Sequence, residues 1–152
     1  MINSRGAKKP YSDRVVFIGD SGVTRYYKDG IGSAYRSAKA AAVTAVFQGI
    51  SAADFDRHYG PVCRGLKYDN IIAKLMFAVI RQIQRWRFGR RAILRMLTRE
   101  QQSETGPRHL SSVMWDMYTG SSPYREILLR TLHPAFLGRL VSDMVLSMAT
   151  RA

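Results

Sequence analysis

The sequence predicts a mainly α-helical protein with one short strand near its start. Three observations carry that reading. Val15-Val16-Phe17-Ile18 is an unbroken β-branched and aromatic run closed by Gly19, the pattern of a strand. From Ile31 onward, apolar residues recur at steps of three and four in one segment after another, the period of a helix packed on one side. Glycine and proline fall between those segments, at Gly60-Pro61, Phe88-Gly89, Gly106-Pro107, Gly120 to Pro123 and His133-Pro134, where helices are expected to stop.

Residues 1–13 contain Gly6, Lys8, Lys9, Pro10 and Ser12, which favour no regular element, and a flexible lead-in is expected. The run Val15–Ile18 does not alternate with polar residues, so it reads as a strand covered on both faces, as in a parallel sheet. Such a strand needs neighbours, and no convincing second strand follows. A helix starting at Gly30 is expected to bury Ile31, Ala34, Tyr35, Ala38, Ala41, Ala42, Ala45 and Val46, with Gly49 as its stop. Ser51 then reads as an N-cap with Asp54 in the first turn of a short helix that Gly60-Pro61 ends.

The next helix runs to about Trp86 and carries Ile71, Ile72, Leu75, Met76, Val79, Ile80 and Ile83 as a buried stripe. Another, from Arg90 to about Gln102, places Ile93, Met96 and Leu97 together, and Ser103 to Pro107 is the clearest loop. His109 to Tyr118 is expected to be helical, followed by a helix with Ser122 as cap and Pro123 first. The last helix would bury Phe136, Leu137, Leu140, Val141, Met144, Val145 and Met148.

A chain of 152 residues holds one domain with a sizeable core. The single cysteine, Cys63, excludes an internal disulfide and a cysteine metal cluster, and suits a reducing compartment. No apolar segment of signal-peptide length stands near the start. The longest apolar run, Ile71 to Ile80, is interrupted by Lys74 and is about half of the ~20 residues that span a bilayer. A cytoplasmic location is expected, with peripheral attachment at the inner membrane face left open. A net charge of +13 favours anionic partners.

One stretch, Arg14 to Ala42, has residue types and spacing that point to a particular chemistry. A strand ending in Gly19-Asp20 aims a carboxylate at the crevice beyond it, where it can accept hydrogen bonds from ligand hydroxyls. Further on, a helix start at Gly30-Ile31-Gly32 offers backbone N–H groups to an electron-rich oxygen, with side chains absent at the two glycines. The stretch resembles the second flavin-binding motif of FAD-dependent oxidoreductases of the geranylgeranyl reductase and aromatic hydroxylase group. That motif has an apolar strand, Gly-Asp-Ala-Ala, a proline-containing loop, then Gly-x-Gly-Ile-x-x-Ala-x-x-Ser-Gly. Here Val15 to Ser21, Gly30-Ile31, Ala34 and Ser37-Ala38 fill its positions, and Ser51 to Phe55 with Tyr59 are similar to the segment that follows.

The resemblance implies FAD as cofactor, NAD(P)H as a possible electron donor and a small substrate, with a lipidic one left open. Asp20 would hold the ribityl chain and Gly19 its turn, while Gly30, Ile31 and Gly32 would approach the isoalloxazine or pyrophosphate oxygens. The loop after Asp20 is shorter than the pattern and has Tyr26-Tyr27-Lys28-Asp29 in place of the proline, so the substrate class does not carry over. The Gly-x-Gly-x-x-Gly unit for the ADP half is absent, so the resemblance implies that the chain corresponds to the C-terminal part of such a flavoprotein. Expected organisation is a lead-in at 1–13, the end of an α/β FAD-binding domain at 14–60 and an α-helical region at 61–152.

Arg81, Arg85, Arg87, Arg90, Arg91, Arg95 and Arg99 stand within one stretch that contains no acid and includes Trp86 and Phe88. Two readings stay open: a solvated helix face, or a basic helical module docking on anionic lipid. Nucleic acid ranks below lipid, because no recognised binding module accompanies the arginines. His58, His109 and His133 have no paired spacing, so no metal site is expected. Cys63 reads as a structural thiol or, near a helix start, a stabilised thiolate. Met114, Trp115, Met117 and Tyr118 read as core or as an apolar channel lining.

Overall fold

The structure, a computed structural model, describes residues 6–23, 25–26, 30–103, 106 and 108–149. Tyr27-Lys28-Asp29 of the loop and Glu104, Thr105 and Pro107 of the later one lie outside the described residues. The protein is mainly helical, with 77% of the described residues in helices and 3% in strands, as the periodicity predicts. It divides into two compact units, 1–71 and 72–152, with the division inside one helix.

In the first unit, β1 (Tyr11–Ser12) pairs antiparallel with β2 (Val15–Val16), with Tyr11 opposite Val16. Arg14 in the connecting turn has φ 57° and donates its N–H to the Ile50 carbonyl at 2.8 Å. Residues 6–13 are therefore tied down rather than free: the Ala7 N–H also bonds the Gly22 carbonyl at 2.9 Å. The expected strand covered on both faces is instead a short hairpin arm that leaves Val15, Phe17 and Ile18 exposed. Its one partner among the described residues, β1, lies on one edge and covers neither face.

A 3₁₀ turn at Gly19–Ser21 follows, then α1 (Gly30–Phe47). The buried face of α1 is Ser33, Ser37, Ala41 and Thr44; of the predicted apolar stripe Ala41 is buried and Ala34 and Ala38 are half-buried, while the rest is exposed. Ile31 is 90% exposed, and Tyr35 and Val46 also face outward. The physical reason is that buried hydroxyls on a helix satisfy themselves. Ser37 Oγ donates to the Ala34 carbonyl at 2.9 Å and Thr44 Oγ1 to the Ala40 carbonyl at 2.8 Å, so these small side chains enter the core without orphaned donors.

Ser51 caps α2 (Ala52–Asp54) as predicted, in a reciprocal capping box with Asp54. That carboxyl is held below its ordinary range, first by the Ser51 hydroxyl. Gly60-Pro61 does not break the chain. A π-helical turn over Phe55–Tyr59 leads straight into α3 (Gly60–Arg85), and its wider ring, closed by the Gly60 N–H on the Phe55 carbonyl, passes Pro61 without interrupting the helix. The core of this unit is Val23, Ala41, Phe55, Tyr59 and Cys63.

In the second unit, Trp86 alone separates α3 from α4 (Arg87–Gln102). The corner is tight enough to require Gly89, where a Cβ would lie 2.3 Å from the Ile83 carbonyl oxygen. Of the predicted stripe on α3, Met76 is buried, Ile72, Ile80 and Ile83 are half-buried, and Ile71, Leu75 and Val79 are exposed. α5 (His109–Thr119) and α6 (Tyr124–Thr131) follow, with Pro123 itself, not Ser122, as the cap of α6. α7 (Pro134–Ala149) packs along α4 and turns Phe136, Asp143 and Ser147 inward, leaving Leu137, Val141, Val145 and Met148 of the predicted stripe exposed. Met96, Leu110 and Phe136 form the apolar centre.

The polar inward position of α7 is explained by one ion pair. Asp143 is fully buried and receives both arms of Arg99, at 2.9 and 3.3 Å, across the α4–α7 contact. Removing the cation strands a buried carboxylate, whereas removing both charges does not. Arg99→Ala is expected to lower unfolding free energy by about 2–3 kcal/mol, less than a wholly buried pair because Arg99 is solvated. Chemical denaturation measures it, and adding Asp143→Leu to Arg99→Leu should recover most of the loss.

Candidate functional site

The candidate site is built by the contact between the Gly19–Ser21 turn and α1. Gly19 is buried with φ +59°, a conformation that side chains rarely adopt, and a Cβ there would lie 3.3 Å from the Ala34 Cβ. Its N–H donates to Ser37 Oγ at 2.9 Å. Ser37 thus receives one hydrogen bond from the turn and gives another to its own helix, fixing the turn to α1 through a single buried hydroxyl. The Ala34 and Ser37 spacing that singles out the motif is the spacing of this contact.

Asp20 follows on the exposed side of the turn. Its carboxylate reaches the first turn of α1: a Cβ on Gly30 would lie 3.8 Å from Asp20 Oδ2. The structure therefore brings Gly19, Asp20 and Gly30 together. Gly32 is half-buried in the same turn of helix, and Ile31 points an uncovered apolar side chain outward beside them.

Support comes from bonds that no local signature in the sequence reveals. The Tyr59 hydroxyl donates to the Phe17 carbonyl at 2.7 Å, holding the chain just before Gly19. Burial pushes the Tyr59 phenol far above its ordinary range, so it stays a neutral donor. Past the turn, the buried Arg25 lies 3.5 Å from Asp69, and the Tyr26 N–H donates to Asn70 Oδ1 at 2.7 Å. These partners are 44 residues apart, a pairing that no spacing rule reveals. Cys63 lies buried in the same core, and burial raises its thiol pKa, the behaviour of a structural thiol.

The basic stretch is divided among several tasks. Arg81, Arg85, Arg87, Arg90 and Arg91 are exposed and Arg95 is half-buried. Arg90 donates to the Gln84 carbonyl at 2.7 Å and so closes the end of α3. Trp86 stacks on Phe88 with ring centroids 5.3 Å apart. Elsewhere, His109 and His133, unrelated by spacing, line one open pocket with Arg108, Ser112, Val113 and Arg130. Met114, Trp115, Met117 and Tyr118 do not share a face: Met117 is core and Trp115 is exposed.

Ser37→Ala is expected to leave the buried Gly19 N–H without an acceptor and to destabilise the protein by about 1–3 kcal/mol. Amide hydrogen exchange should show the loss at Gly19, and Ser37→Thr should retain more protection than alanine. Comparison of the chain with protein-family models, with curated proteins and with solved structures gives no match in any of the three.

Proposed function

We propose that residues 14–60 supply the ribityl- and isoalloxazine-side contacts of an FAD site in an oxidoreductase similar to the geranylgeranyl reductases and aromatic hydroxylases. The observation that carries the reading is the exposed Asp20 carboxylate beside the first turn of α1. These are the donor and acceptor types a flavin needs. The carboxylate accepts from ribityl hydroxyls, and the first-turn N–H groups of a helix have no partner within it and face an electron-rich oxygen favourably. Bound FAD would supply the electron-transfer chemistry, with NAD(P)H as the reductant.

The chain's own part is to hold and orient. Gly19 and Ser37 fix where Asp20 stands, the Arg25–Asp69 contact anchors the following segment, and Ile31 offers an apolar surface to a flat ring. The ADP half of the cofactor belongs, in this reading, to a Gly-x-Gly-x-x-Gly unit that these 152 residues do not contain, so binding by the chain alone is weak. Titration of the chain with FAD and with FMN, followed by flavin fluorescence, tests the reading. Both flavins should bind alike, and Asp20→Ala should weaken binding about tenfold or more, the loss of hydrogen bonds to a charged acceptor. Equal binding by Asp20→Ala, or no binding of either flavin, overturns it.

A second reading is favoured by the uncovered Arg81, Arg85, Arg87 and Arg91 beside the Trp86–Phe88 stack. Arginines flanking an exposed indole suit peripheral attachment to an anionic membrane, at the inner face of the cell, where a lipidic substrate would be met. Among the described residues, no helix is long and apolar enough to cross a membrane. Sedimentation with phosphatidylcholine vesicles, with and without phosphatidylglycerol, should show binding only to the anionic set. Replacing Arg81 and Arg85 by Gln should reduce it and Asp20→Ala should not; equal binding to neutral vesicles removes this reading.

A further inference from the structure

We propose that the start of α4 and the last turns of α7 form a site for a single phosphate-type oxyanion. A pocket of about 170 Å³ lies there, lined by Arg87, Phe88, Arg91, Ser147 and Met148. It is smaller than the ~300–1,000 Å³ of pockets that take drug-sized ligands, and suits one compact group.

The observation that points to a ligand is Ser147. It is 1% exposed, and its hydroxyl has no hydrogen-bond partner among the described residues. The other buried hydroxyls behave differently: Ser33, Ser37 and Thr44 all donate to carbonyls of their own helix. A buried hydroxyl left unpaired is unfavourable and rare in a native structure. Its surroundings define the missing partner. Arg87 and Arg91 stand one turn apart on the same face of α4, and neither is engaged by an acid among the described residues. The first turn of α4 contains no acid, and its cap residue, Trp86, makes no side-chain hydrogen bond to it. Asp143, one turn before Ser147, is already held by Arg99.

Two guanidinium groups, a donor hydroxyl and the positive end of a sixteen-residue helix all call for a multivalent anionic acceptor. A phosphate group meets that description, and Phe88 and Met148 provide apolar walls against which it would be shielded from water. Arg90, turned back on α3, is excluded from the set. The inference does not depend on the flavin reading. It gives the anionic surface one defined point of contact, which a lipid headgroup or a soluble phosphate could occupy.

Inorganic phosphate is the first probe, with thermal unfolding and calorimetric titration as readouts. Phosphate should raise the melting temperature saturably in the native protein. Ser147→Ala should melt higher than native without phosphate, because its orphaned hydroxyl is gone, yet should bind phosphate about tenfold more weakly. Arg91→Gln should lose binding similarly, and Arg57→Gln, an equal charge change outside the pocket, should not. Vesicles of phosphatidylcholine with phosphatidic acid identify the source. Binding that falls in Ser147→Ala assigns a headgroup, whereas lost phosphate binding with unchanged vesicle binding assigns a soluble phosphate. The proposal is overturned if phosphate fails to bind, or if Arg57→Gln weakens it as much as Arg91→Gln while Ser147→Ala has no effect.

Discussion

The first unit depends on how closely α1 can approach the Gly19–Ser21 turn. That distance is set by a glycine with positive φ on one side and by Ala34 and Ser37 on the other. A larger side chain at Gly19 or Ala34 would push the helix away and strain the hydrogen bond from Gly19 to Ser37. The same requirement explains why a helix so rich in alanine and serine turns its smallest and most polar face inward. Packing density favours the closest approach, and the hydroxyls there have acceptors on their own helix, so burying them carries little penalty. The position of Asp20 follows from this contact.

Helix spans and their ends were largely legible, because punctuation by glycine and proline and a step of three or four residues are local properties of a chain. The Ser51–Asp54 capping box was legible for the same reason. Which face of each helix is buried was not. Periodicity marks where apolar residues lie on a cylinder, but α1 buries Ser33, Ser37 and Thr44 while Ile31 and Val46 stay in solvent. Gly60-Pro61 misled for a related reason: proline removes one donor, and a π turn accommodates that loss without ending the helix. In the site, Gly19, Asp20 and Gly30 were visible as a motif. The bond from Tyr59 to Phe17 and the pairing of Arg25 with Asp69 were not, since each joins residues far apart in sequence, and nothing local marked Ser147 as a buried hydroxyl without a partner.

The second unit shows why a run of arginines cannot be treated as one feature. Arg99 neutralises the buried Asp143, Arg90 closes the carbonyl end of α3, and Arg87 and Arg91 flank the pocket at Ser147. Guanidinium groups suit all three tasks, because a planar fork can serve a carboxylate, a backbone carbonyl or an oxyanion. Counting charge along the sequence merges these tasks. Separating them leaves a smaller, better-defined set of cations whose charge is still uncompensated by acids among the described residues.

The exposed apolar surface bears on the flavin reading in a specific way. Scattered apolar residues on a surface need no explanation, but Val15, Phe17 and Ile18 are consecutive in space with the turn that carries Asp20, and Ile31 stands at the helix start beside it. A residue that is 90% exposed and isoleucine is unfavourable in water unless something covers it. In the proposed flavin reading, a ring covering Ile31 would remove part of this surface beside Asp20. Under the proposed reading, the apolar side chains and the polar groups around Asp20 suit one ligand by independent chemistry, the first through its ring and the second through its hydroxyls and electron-rich oxygens. A ligand with both properties satisfies them together, and that is the strongest physical argument for a flavin over a simple anion at this turn.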